Sequence, residues 1–338
     1  MDRGTRRAGG AHASGRAARR PAPSRLVADA ERGAVKRLAE RARILTTLRA
    51  FFAARDFLEV ETPLLVVSPG LDLHLDAFAV DAGAGATLYL STSPEYHMKR
   101  LLADGHPRIF QLTRAFRRGE RGSRHNPEFA MLEWYRANAG VEAIIADTEA
   151  LIAEVTGGAV TLAGRVIDTT PPFKRMTVCE AYERFAGLRR DETLRIAEND
   201  EDRFFKLLVD VVEPAIEALP HALVLCDYPA SQASLARRRP DDEAVAERFE
   251  VYVAGVELCN GFGELTDPKE QRARLLRDQR ERAARRLPVY PIDERFLAAL
   301  ERGLPPSGGN ALGVDRLVAL ACGTTDIGDV MAFTADEG

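Results

Sequence analysis

The chain has 338 residues, 46% of them hydrophobic and 29% charged, which can bury a sizeable core and excludes a wholly disordered chain or a fibrous repeat. Its 47 Lys and Arg against 51 Asp and Glu leave a formal net charge of -4, so no global positive field is available to hold a polyanion. No apolar run approaches the roughly 20 residues of a membrane helix; the four dispersed cysteines, Cys179, Cys226, Cys259 and Cys322, lack CxxC or zinc-ligand spacing and read as reduced thiols of a cytoplasmic protein.

Residues 1–30 are rich in Arg, Ala and Gly, with Arg3, Arg6, Arg7, Arg16, Arg19, Arg20 and Arg25 against the single acid Asp2 up to position 25. So little apolar surface predicts a disordered tail, as an RNA-binding arm, a transit peptide or a segment without a role, followed by one domain over 31–338. Leu38, Ala42, Leu45, Leu48 and Phe52 recur at helical spacing, so an amphipathic helix is expected from near Val35 to Arg55. Phe57–Thr62 alternates as a strand that Pro63 ends. Arg108–Arg117 and Glu128–Arg136 read as a hairpin around a long loop holding Gly119, Gly122, Asn126 and Pro127. Val141 to Leu219 reads as mostly helical, with breaks at Gly157-Gly158 and Pro171-Pro172. Strands are expected at Ala222–Asp227 and Phe249–Leu258, and Gly308–Gly313 as a glycine-bearing turn opening a helix from Val314. The irregular interleaving of helices and strands argues for an α+β fold with a mainly antiparallel sheet.

Walker, GxGxxG, HExxH and GxSxG signatures are absent, so the chemistry has to be read from longer segments. Period-two alternation puts Gln111, Thr113, Ala115 and Arg117 on one face of the first hairpin strand, and Phe129, Met131, Glu133 and Tyr135 on one face of the second. The loop adds Arg118, Arg121, Arg124 and His125, donors suited to a polyphosphate or simply a solvated basic loop. Glu257 and Glu264 flank Asn260 and Gly261–Gly263; as a Mg²⁺ pair beside phosphates they need a bulge or turn at those glycines, because a spacing of seven puts them on opposite faces of a straight strand. Gly313 and Arg316, at the helix opening, are placed to meet an anion.

The order of these segments resembles the class II aminoacyl-tRNA synthetases. The helix, strand and Pro63 are similar to motif 1, Phe116-Arg117 through His125-Asn126-Pro127-Glu128-Phe129 to Glu133-Trp134-Tyr135 to motif 2, and Gly313-Val314-Asp315-Arg316-Leu317 to motif 3. Ser93-Pro94-Glu95 with Lys99, and Glu257-Leu258, Asn260-Gly261-Phe262 and Glu264-Leu265, resemble the lysyl branch. Tyr96–Leu102, Pro229–Ala236 and Ala244–Tyr252 look like the elongation factor P (R)-β-lysine ligase family, a stand-alone relative of the lysyl-tRNA synthetase core. The residues before motif 1 are too few for a five-stranded anticodon-binding OB barrel, so no such domain is expected and tRNA is not the expected acceptor.

The resemblance implies the class II catalytic fold as a homodimer, with ATP and Mg²⁺ activating (R)-β-lysine as its adenylate for transfer to a lysine ε-amine of elongation factor P. It implies catalytic roles for Arg117 on the α-phosphate and Arg316 on the γ-phosphate. Arg118, Gly119, Glu120, Asn126, Phe129, Glu257, Leu258 and Gly313 complete the ATP site, Phe129 either stacking on adenine or filling core. Ser93, Pro94, Glu95, Glu133, Tyr135, Asn260, Glu264 and Ala311 surround the amino acid, and Glu257 with Glu264 would hold the metal, Glu264 being open to either role. Gly119 stands where many class II enzymes have Glu, which leaves Glu120 for the adenine. Ala311 stands where lysyl-tRNA synthetases have Gly, adding one methyl group to the pocket, a difference of about 1–3 kcal/mol between close analogues. No side chain stands out as the base for the acceptor amine. A truncated lysyl-tRNA synthetase activating α-lysine is the alternative, and a non-catalytic regulator ranks behind it because Arg117 and Arg316 are both present.

Overall fold

A computed structural model describes residues 25–337. Its elements are, in chain order, α1 (Arg25–Ala53), β1 (Leu58–Glu59), β2 (Leu65–Val66), β3 (Ala79–Asp81), β4 (Thr87–Leu90), α2 (Glu95–Ala103), β5 (Arg108–Phe116), β6 (Glu128–Ala137), α3 (Val141–Thr156), β7 (Ala159–Leu162), β8 (Arg165–Asp168) and β9 (Lys174–Thr177). There follow α4 (Val178–Ala181), α5 (Arg190–Asn199), α6 (Glu201–Leu207), α7 (Glu213–Glu217), β10 (Leu223–Pro229), β11 (Val245–Val253), β12 (Val256–Gly263), α8 (Pro268–Ala284), α9 (Glu294–Gly303), β13 (Ser307–Gly313) and α10 (Val314–Ala321).

Eight strands form the main sheet in the order β1-β5-β6-β13-β12-β11-β10-β9. The two outermost pairs are parallel and every inner pair is antiparallel, as an α+β reading requires. Alternation sorts the two faces of β6. Ala130, Leu132 and Trp134 enter the core formed with Phe51 and Phe52 of α1, Ile144 and Ile152 of α3, and Leu317 and Val318 of α10. Tyr135 instead joins Met98 and Leu102 of α2 and Phe296 and Leu300 of α9 on the other face. Registers align Gln111, Glu133, Ala311, Asn260 and Glu250 in one row across five strands, so their side chains share that second face.

Several expectations change. Helix α1 begins at Arg25, before Val35, because the Ala-, Leu-, Glu- and Arg-rich run ahead of the apolar stripe consists of good helix formers; the boundary at residue 30 therefore falls inside it. Residues 1–24 of the expected tail lie outside the described residues. The Phe57–Thr62 strand shrinks to Leu58–Glu59. Between Val141 and Leu219 the breaks at Gly157 and Pro171 frame a β7–β8 hairpin and the edge strand β9. Phe249–Leu258 is two strands turned at Ala254-Gly255, where Gly255 has φ +71°. Gly308–Gly313 is a strand rather than a turn. Its glycines serve close packing, since a Cβ on Gly309 would come within 2.3 Å of the Tyr135 ring and 2.6 Å of a Glu264 carboxylate oxygen.

Candidate active site

A cavity of about 540 Å³ opens on the second face of the sheet, within the range of small-molecule sites. Its walls come from β6, β11, β12 and β13, the start of α2 and of α10, the β5–β6 loop, and the segment Ser68–Leu75. Of the residues singled out in the sequence, Ser93, Glu95, Arg117, Glu120, Asn126, Phe129, Glu257, Leu258, Asn260, Ala311, Gly313 and Arg316 line it.

At one end the cavity is cationic. Arg316, on the first turn of α10, donates through Nη1 to the Glu257 carbonyl oxygen at 2.8 Å, and through Nε to the Arg124 carbonyl oxygen at 3.2 Å. Its Nη2 lies 2.8 Å from His125 Nε2, which must accept because a guanidinium only donates. Desolvation and the Arg316 charge hold the His125 imidazole below the usual histidine range, consistent with a neutral ring. Arg117 lies over the Phe129 ring at 5.0 Å and pairs with Glu120 at 3.5 Å, while its Nε is shielded from solvent without a partner among the described residues. The adjacent Asp315 is structural: it pairs with Arg41 of α1 at 2.6 Å and accepts from the Ala130 N–H at 2.7 Å.

Beneath the other end lies a closed acidic cluster. Glu133, 1% exposed, accepts from the Tyr135 hydroxyl at 2.6 Å and the Ser93 hydroxyl at 2.9 Å. Burial, then the Glu95 charge, push its pKa up to about 8. Lys99, with no exposed side chain, spans Glu95 at 2.6 Å and Glu264 at 2.5 Å. Burial pulls its pKa down, but the charges of Glu264 and Glu95 outweigh it and keep the ammonium charged. Glu264 is pushed up to about 7 by burial against the Lys99 pull. Three carboxyl groups thus surround one cation, and burial keeps a proton on Glu133 that further positive charge would release.

The remaining singled-out residues sit elsewhere. Glu133, Tyr135 and Glu264 lie behind the cavity wall rather than on it. Pro94 starts α2 and accepts from the His97 and Met98 N–H groups. Gly119 turns at φ +88°, and Arg118 points away to Asp76 at 3.2 Å. Arg121 is likewise diverted, to Asp336, so only Arg124 and His125 of that loop cluster reach the cavity. The Asn126 side chain is spent on the Glu128 carbonyl oxygen (2.6 Å) and the Ala335 N–H (3.0 Å).

The two acids on β12 need a correction. A bulge exists, but at Leu258: Val251 faces Cys259 while Tyr252 faces Glu257, so one β12 residue is extra and Glu257 turns onto the cavity face. Pairing is regular from Cys259 to Gly263, which leaves Glu264 farther along the strand, roughly 20 Å away at 3.3 Å per residue, too far to share one ion with Glu257. The carboxylate beside Glu257 is Glu250 on β11. After desolvation in the recess, its charge is what raises the Glu257 pKa, and both line the cavity. Sequence reading missed Glu250 and Arg248 because alternation along β11 is visible but the bulge that brings Glu257 to them is not. Among the described residues no three His, Cys, Asp or Glu side chains form a metal cluster.

The family model for tRNA synthetases class II (D, K and N) matches residues 24–337. The elongation factor P--(R)-beta-lysine ligase of Klebsiella pneumoniae (strain 342) is 45% identical over 325 residues, spanning 90% of this chain and 96% of the relative. Those of Proteus mirabilis (45%, spanning 88% and 95%) and Haemophilus influenzae strain PittGG (41%, spanning 90% and 96%) carry the same description. With a class II sheet, an arginine-lined cavity on its antiparallel face and full-length likeness at this level, the chain belongs to the class II tRNA synthetases and, within them, to the family of the elongation factor P (R)-β-lysine ligases.

Proposed function

We propose that the chain activates (R)-β-lysine with ATP and passes it to the ε-amine of a lysine on elongation factor P. The observation that carries this reading is the charge of the two ends of one cavity. Arg117, Arg124 and Arg316 suit a triphosphate, and Glu95 on the wall, with Glu133, Glu264 and Lys99 directly behind it, suits a substrate with two ammonium groups.

Between these ends the substrate carboxylate attacks the α-phosphorus of ATP and pyrophosphate leaves, a step limited by positioning and charge neutralisation. Arg117, whose shielded Nε has a donor to spare, is assigned to the α-phosphate. Arg316, braced by four contacts on β12 and the loop, one of them to the Glu257 carboxylate at 3.4 Å, is assigned to the γ-phosphate, and neutral His125 holds it without adding charge. Phe129 and Glu120 border the space left for adenine. Glu257 and Glu250, which repel one another and are held apart by arginines, Glu257 with Arg316 at 3.4 Å and Glu250 with Arg248 at 2.8 Å, would supply oxygen ligands to a Mg²⁺ ion. When bound, it neutralises charge on the leaving pyrophosphate.

Ala311, between Glu133 and Asn260 in register, puts its methyl group on the cavity floor. That supports a substrate whose amine sits one carbon farther from the carboxylate. Leu58 (52%), Leu65 (42%) and Val67 (60%) are exposed apolar side chains in the segment that follows α1, which supports a homodimer. Among the described residues no helix is long and apolar enough to cross a membrane; a cytoplasmic enzyme is proposed.

The test offers purified protein ATP, Mg²⁺ and either lysine isomer, with elongation factor P or tRNA(Lys) as acceptor, and follows product mass. β-Lysine on elongation factor P, with tRNA uncharged, is expected. Charging of tRNA(Lys) with α-lysine and no protein product would instead establish a truncated lysyl-tRNA synthetase.

A further inference from the structure

The β5–β6 loop, which delivers Arg124 and His125 to the cavity, is held from outside by the last described residues of the chain. Ile327 N–H donates to the Ser123 carbonyl oxygen at 2.8 Å, Ala335 N–H donates to Asn126 Oδ1 at 3.0 Å, and Asp336 pairs with Arg121. Glu337 shapes the turn that presents these groups, accepting from the Thr334 N–H at 2.9 Å and hydroxyl at 3.0 Å. The other end of the segment is pinned to α1, where Arg37 Nε donates to the Asp329 carbonyl oxygen at 2.7 Å and Arg41 Nη1 to that of Val330 at 3.4 Å. Arg41 also holds Asp315, the neighbour of Arg316. The loop itself turns at two glycines with positive φ, Gly119 (+88°) and Gly122 (+143°), and Arg121–Ser123 are exposed, so the loop has little packing of its own to fix it.

We propose that Ile327–Glu337 is a clasp that holds the β5–β6 loop in its cavity-facing conformation, and that Asp336 and Ala335 are positioning residues for ATP and not for the amino acid. This rests on assigning the arginine end of the cavity to ATP. Asn126, read from the sequence as a nucleotide contact, acts here through the loop: its Nδ2 ties the Glu128 carbonyl oxygen and its Oδ1 takes the clasp. Without the clasp, ATP must order the loop as it binds, which weakens apparent ATP affinity by the fraction of loop already in place. Amino-acid binding, at the far end of the cavity, is unaffected.

The test is ATP–pyrophosphate exchange with β-lysine in Asp336→Ala, in Arg121→Ala, in their double variant, and in protein lacking residues 334–338, alongside hydrogen–deuterium exchange of residues 118–127 without substrate. An exposed pair is modest, so Asp336→Ala should raise KM for ATP by roughly two- to fivefold, and the truncation by about tenfold, with kcat and KM for β-lysine within about twofold of the parent. The double variant should be no worse than the poorer single one. Loop amides should exchange faster in the truncated protein while its Tm stays near the parent value. Unchanged KM for ATP, equal effects on both substrates, or an equally protected loop in the truncated protein would overturn the proposal. If the parent itself shows no ATP dependence, the assignment of the nucleotide has failed, and the deuterium exchange still decides the clasp.

Discussion

Glu133→Gln separates the demands of substrate from those of the fold. Glu133 is fully buried, with a pKa near 8 set by burial and the Glu95 charge and partly offset by the Tyr135 and Ser93 hydroxyls. In the unfolded chain it ionises near 4.5. Below that value both states are protonated and pH has no effect. As pH rises from there towards 8, the unfolded chain loses its proton while the folded chain keeps it, so stability falls. At about 1.4 kcal/mol per pH unit, the burden reaches roughly 3 kcal/mol at pH 7. Gln keeps the shape and can still meet both hydroxyls, but does not titrate. Urea unfolding of substrate-free protein should show the variant within about 1 kcal/mol of the parent near pH 5 and more stable by about 3 kcal/mol at pH 7. The same substitution should raise KM for β-lysine at least about tenfold, because a buried carboxylate loses its ammonium partner. In the parent, an arriving ammonium releases the Glu133 proton, so affinity should rise with pH between about 6 and 8, and this dependence should flatten in the variant. A variant destabilised equally at pH 5 and pH 8, or binding β-lysine as tightly as the parent, would refute the reasoning.

Arg316→Ala should abolish ATP–pyrophosphate exchange while leaving the circular dichroism melt within a few degrees, since its contacts lie at the cavity mouth and not in the core. Ala311→Gly should move the ratio of kcat/KM toward α-lysine by about tenfold or more, measured by exchange with each isomer; no shift would remove Ala311 from the specificity argument. Leu65→Asp with Val67→Asp should yield a folded monomer in light scattering where the parent gives twice that mass, whereas a monomeric parent ends the dimer proposal. Lys99→Met should cost about 3–5 kcal/mol at pH 8, by stranding Glu95 and Glu264, and less at pH 5, where Glu264 is protonated; chemical denaturation at the two pH values reads the difference.

The hairpin was legible in the sequence because two independent signals agree there: period-two alternation in both strands and a loop rich in Gly, Asn and Pro. It put Glu133, Tyr135 and Phe129 on the functional face. What stayed hidden depends on neighbours in space. Gly308–Gly313 has the composition of a turn, and only the Tyr135 ring and Glu264 carboxylate above Gly309 explain why a strand needs glycine there. Lys99 stands in a run that resembles the lysyl branch, but what it binds shows only when Glu264, distant in sequence, arrives beside it. Arg118 and Arg121 are indistinguishable by type from Arg124, yet Asp76 and Asp336 claim them.

The bulge at Leu258 makes β12 two strands in one, with Glu257 on one side of it and Asn260 in unbroken register on the other. Its tolerance to change is therefore lopsided. Exchanging one side chain alters one contact, but a residue inserted in β11 between Val251 and Tyr252 would pair with Leu258, straighten the ladder and swing Glu257 toward the apolar layer of Phe249, Val251 and Cys259, a buried charge without a partner. The one-residue offset between the two strands, more than the identity of any side chain along them, is what keeps Glu257 on the cavity face.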